Sequence, residues 1–104
     1  MKEIKVKVEE AITSIEQVTE LFYQNQIKAG YEQLEKTILI LVTTVDELYA
    51  YKSLGNEIGV KEMQLNEVLT QAVNAMESKD SLLLSDILQY ELKELFNKIL
   101  ISIK

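Results

Sequence analysis

The chain has 104 residues, with eleven Lys, no Arg and seventeen acidic residues, for a net charge of −6. It contains no His, Cys, Pro or Trp. That excludes Ser–His and Cys–His nucleophilic catalysis, zinc, haem and iron–sulfur sites built on those ligands, and bidentate guanidinium contacts to phosphate or guanine.

One domain is expected at this length, able to bury roughly 65% of the surface its unfolded form exposes. With no Pro and only three Gly, nothing forbids long helices and few tight turns are available.

Residues 1–8 carry two patterns. Lys2 to Val8 alternates like a strand, while Ile4 and Val8 begin a helical series that continues through Ala11, Ile15, Val18 and Phe22. The series is the longer of the two, so helix 1 is predicted over about residues 3–24, with Val6 exposed or covered by a partner. The pattern breaks at Tyr23-Gln24-Asn25-Gln26, where Asn25 is expected to act as a cap. Gly30 is the rival break.

Helix 2 is predicted over about residues 26–54. Ile27, Tyr31, Leu34, Ile38, Leu41, Val45 and Leu48 form its stripe, and Ile38 to Val42 is apolar without interruption. A helix apolar on every side needs several neighbours, so this one is expected to be central, and an Asp at Leu41 is expected to unfold the domain. Taken alone, Thr37 to Val45 has high β propensity, but the helical flanks keep the stripe in phase. The segment is aggregation-prone when unfolded.

Gly55 to Gly59 reads as a loop, with Gly55 just past a helix end. Helix 3 follows over about residues 60–78. Its stripe is Leu65, Leu69, Ala72 and Met76, with Val68 and Val73 beside it. It is the least apolar helix and is expected to be the most peripheral. Ser78-Lys79-Asp80-Ser81 is a second turn, where Asp80 or Ser81 can cap helix 4. Helix 4 is predicted over about residues 81–102. Leu84, Leu88, Leu92, Leu95 and Ile99 face one way, and Leu83, Ile87, Phe96, Leu100, Ile101 and Ile103 widen that face.

Short connections between four helices predict an all-α, up-down-up-down antiparallel four-helix bundle in a single domain, residues 1–104. The alternative is a hairpin or three-helix unit that completes its core by dimerising.

Little catalytic chemistry is left. Asp46, Glu47, Asp86, Glu91 and Glu94 are the carboxylates that could meet across a bundle. They lie off the core stripes and form no calcium loop, so they read as solvated faces. No GxxxxGK or GxGxxG loop and no Glu-x-x-His pair occurs. No metal, cofactor or enzymatic activity is expected, and neither is nucleic-acid or membrane binding. No apolar run approaches the roughly 20 residues that span a bilayer. The lack of Cys fits a reducing compartment, and the expected location is the cytoplasm.

Tyr23, Tyr31, Tyr49, Tyr51 and Tyr90 lie at or near stripe edges, where each can cap the core with its hydroxyl in water or serve an interface. Together with the surplus apolar surface of helices 2 and 4, they point to Tyr49, Tyr51, Tyr90, Phe96 and Leu100 as candidate partner-binding residues.

The hairpin from Gln17 to Tyr51, with its polar break after Phe22-Tyr23, resembles that of bacterial flagellar export chaperones. Those are small acidic helical bundles that cradle an amphipathic segment of an export substrate. Lys79 to Leu92 is similar to a helix of small uncharacterised helical proteins of Gram-positive bacteria. The first resemblance implies a chaperone-like role, and the second implies no activity. The expected function is a non-enzymatic interaction module that binds a protein partner or itself. A structural homodimer and a carboxylate metal enzyme are the other readings.

Overall fold

In the computed structural model, residues 3–103 are described, and they are all-helical, with no strand among them. Four helical rods account for nearly all of them. The first two are α1 (Ile4–Tyr23) and α2 (Ile27–Ser53), and the third is α3 (Glu62–Glu77). The fourth, C-terminal rod runs without a break through α4 (Ser81–Asp86), a π-helical stretch (Ile87–Leu92) and α5 (Lys93–Ser102). The longer helical series at the N-terminus prevails over the strand-like alternation, and Val6 is exposed.

The turns follow from backbone hydrogen bonding. α1 stops at Asn25, which takes a left-handed conformation (φ 61°). The Asn25 amide donates to the Phe22 carbonyl and the Gln26 amide to the Leu21 carbonyl, which satisfies carbonyls the helix end would leave free. Asn25 therefore ends α1 through its backbone and does not cap α2 with its side chain. Lys79 (φ 57°) ends α3 in the same way, and the Asp80 carboxylate then accepts from the Leu83 amide to start the next rod. After α2, Gly55 (φ 96°) turns the chain, and the Asn56 side-chain amide donates to the Tyr51 carbonyl.

The connection from α2 to α3 is longer than its sequence suggested. α3 starts at Glu62 rather than near Val60, and Ile58 in the loop is buried in the core. Gly59 (φ 82°) packs on the C-terminal rod so closely that a Cβ there would lie 2.6 Å from Ser102 Cβ.

α1 joins α2 to the C-terminal rod. One side packs on α2 and another along the whole C-terminal rod, while α3 lies on the first half of that rod. Val8, Ala11, Ile15 and Val18 are accordingly fully buried. This corrects the expectation that α2 is central. Close backbone packing of α2 is confined to α1, and Leu39 (70% exposed) and Val42 (55%) in its apolar run face solvent.

The α1–α2 seam is narrow because its residues are small. Ser14 and Thr37 share a buried hydrogen bond of 2.8 Å, and a Cβ on Gly30 would fall 2.5 Å from the Phe22 ring. That ring meets Tyr31 edge-on, with centroids 5.1 Å apart. Along the other side of α1, Tyr23 donates to Asp86, Thr19 to Gln89, and Glu16 pairs with Lys93. Residue numbers fall on one helix as they rise on the other, so these two rods run in opposite senses.

The π-helical stretch has a packing reason. Leu84, Leu88 and Leu92 recur every four residues and are all buried. In an α-helix each such step overshoots a full turn by about 40°. A wider turn with i→i+5 bonding takes up that overshoot and keeps the three leucines in line.

Candidate functional site

Three elements meet around an aliphatic groove of about 290 Å³. α2 contributes one wall with Leu34, Ile38, Leu41, Val42, Val45 and Asp46. Leu69, Ala72, Val73 and Met76 of α3 form the other wall, and Leu84, Leu88 and Leu92 of the C-terminal rod form the floor.

The groove follows from two stripes on α3. Leu65, Val68, Ala72 and Ala75 are buried against the rod. One position round, Leu69 and Met76 are half-buried and Val73 is 51% exposed. The bulky side chains of this second stripe face α2 across the opening. Sequence reasoning merged the two stripes into one and so missed the wall. The signal was present in the small residues Ala72 and Ala75, which mark the side that packs closely.

At one end α2 and α3 are tied together. The Tyr49 hydroxyl donates to Asn66 Oδ1 at 2.5 Å, and Lys52 pairs with Glu62 at 3.6 Å. Burial, and then the negative charge of Glu62, push the Tyr49 hydroxyl pKa above its ordinary value, so the phenol stays protonated and remains a donor. Beyond this tie the two helices make no such bridge, and the groove opens between Leu34 and Met76.

Asp46 is the one charged residue in the lining, next to the tied end. Among the described residues it has no hydrogen bond and no ion pair. The neighbouring Glu47 turns to the opposite side and pairs with Lys7. Asp86 accepts from Tyr23, whose own pKa is pushed well up by its burial first and then by that hydrogen bond and the Asp86 charge. The carboxylates singled out in sequence are thus dispersed. Among the described residues no group of three or more acidic side chains is placed to hold a metal ion.

The five residues predicted to bind a partner do not come together at the groove. Phe96 is fully buried, so it is a core residue and not a contact surface, because α5, which carries it, packs against α1. Leu100 is half-buried against the core. Tyr49 serves in the α2–α3 tie, and the Tyr51 backbone carbonyl takes the Asn56 cap. Tyr90 is exposed beside Tyr23 in a shallow, more polar hollow.

The arrangement defines a class: an all-α protein of four helical rods with an open aliphatic groove between the second and third. Residues 1–101 match the domain of unknown function DUF8042, and the chain belongs to that family. No curated relative and no solved structure matches it. Among the described residues no helix is long and apolar enough to cross a membrane.

Proposed function

We propose that the chain is an up-down-up-down antiparallel bundle left open on its α2–α3 side, and that this opening makes it a non-enzymatic interaction module. The partner is a protein that lays the apolar face of an amphipathic helix into the groove, as a chaperone or adaptor would receive it. The observation that carries this reading is the groove. Val42 and Val73 are exposed on facing walls above a continuous leucine floor, where a closed bundle would have buried them against each other. The expected compartment is the cytoplasm, which a cysteine-free chain fits.

The test compares two variants as bait. Val42→Ser with Val73→Ser removes apolar surface from the rims and should leave the circular dichroism spectrum unchanged. It should lose the partner that the wild-type chain retains. Tyr51→Ala with Tyr90→Ala alters aromatic residues outside the groove and should keep that partner. The opposite result would move the interface to the tyrosines.

A further inference from the structure

We infer that the helix this groove accepts is short and cationic. This rests on the reading of the groove as a helix-docking site and adds the length and charge of its occupant.

Length follows from the lining. The floor from Leu84 to Leu92 extends roughly 12 Å and the α2 wall from Leu34 to Asp46 roughly 18 Å, at about 1.5 Å per helical residue. The tie between Tyr49 and Asn66 stops the groove at one end. The space suits about two to three turns, with aliphatic anchors at i, i+3, i+4 and i+7.

Charge follows from Asp46. It is the sole charged group in an otherwise aliphatic lining, and it has no partner among the described residues. An occupant that covers the leucine floor also reduces the water around this carboxylate, which strengthens its attraction to a Lys or Arg on the incoming helix. The chain's charge of −6 adds a long-range attraction of the same sign. The same charge opposes the alternatives. A second copy carries −6 as well, and an anionic amphiphile such as a fatty acid would bring its carboxylate toward Asp46.

The test uses two synthetic peptides of about three helical turns with Leu anchors at that spacing. One carries Lys at its polar positions and its twin carries Glu. Binding is measured calorimetrically on the full chain, and amide shifts in the NMR spectrum locate it. The Lys peptide should bind at least about tenfold more tightly than the Glu twin and shift residues of α2 and α3 that line the groove. Asp46→Asn should weaken the Lys peptide about three- to fivefold, whereas Glu35→Gln, which removes an equal charge outside the lining, should change it less than about twofold.

Equal losses from the two variants, or equal binding of the two peptides in the groove, would overturn the inferred charge and leave the groove reading intact. Failure of both peptides to bind would overturn the groove reading too. A dimer that survives dilution, together with that failure, would make a second copy the occupant.

Discussion

Helix α2 presents two faces to the rest of the molecule, one of small and hydroxyl-bearing side chains and one of bulky aliphatic ones. Toward α1 it offers Gly30, Thr37 and Thr44, and the seam closes until Ser14 and Thr37 share a hydrogen bond and Phe22 rests against Gly30. Toward α3 it offers Leu34, Ile38, Leu41, Val42 and Val45 and meets Leu69, Val73 and Met76, and there the helices stand apart. Small residues let two backbones approach. Branched and bulky ones on both walls hold them off unless a ridge of one fits a groove of the other. Hydrophobicity alone therefore does not say which face of a helix is closed.

Several variants break or sharpen this contrast. The largest effect is expected from a charge on the closed side. Ile15→Asp places an unpaired carboxylate at a fully buried position of α1 and should leave the chain unfolded by circular dichroism. Leu41→Asp also meets a buried position, 8% exposed, but one that lines the open groove. It should cost markedly less, and its urea midpoint should lie well above that of Ile15→Asp. Equal unfolding by both would restore α2 as the centre of the fold.

Phe96→Ala should cost about 3–5 kcal/mol, the usual loss for a fully buried Phe, and would lower the urea midpoint accordingly. Gly30→Ala comes next. A methyl group there meets the Phe22 ring, and the overpacking should cost about 1–2 kcal/mol even after the gain of about 1 kcal/mol in helix propensity. On the open side, Val42→Ser with Val73→Ser should shift stability by no more than about 0.5 kcal/mol per site, since both are surface positions.

The smallest effect concerns pH. The folded-state pKa of Tyr23 is raised, by burial first and then by Asp86, so the fold favours the neutral phenol. That contribution is fully present below the ordinary tyrosine value of about 10 and is lost as pH rises above it. Wild type should therefore lose stability more steeply than Tyr23→Phe between about pH 10 and 11, where lysines titrate alike in both. Parallel urea midpoints in the two proteins across that range would show that the fold does not raise the Tyr23 pKa.

Much of the local structure was legible in the sequence. The series Val8, Ala11, Ile15, Val18 and Phe22 identified α1 and its buried face, because a helix repeats its face every three to four residues. Gly55, and Asp80 ahead of the last rod, marked the turns, because a left-handed residue and a capping carboxylate are local chemistry. The candidate site was not legible. Tyr49, Tyr51, Tyr90, Phe96 and Leu100 were chosen for residue type, and their fate depends on which helix lies over each. Phe96 is buried on the helix that packs against α1, and Tyr49 is bound to Asn66.

By itself, then, the sequence determined an all-α chain in four rods, its turn positions, and an excess of apolar surface on the second and fourth. Only the tertiary structure decided that α2 packs on α1 and α3 on the C-terminal rod, that a π-helical stretch realigns Leu84, Leu88 and Leu92, and that Val42 and Val73 line one groove while Leu39, Leu83 and Ile101 stay exposed outside it. The physical reason is that periodicity shows which residues share a face of one helix. Which faces meet, and how closely, depends on the fit of side chains from two helices distant in the chain.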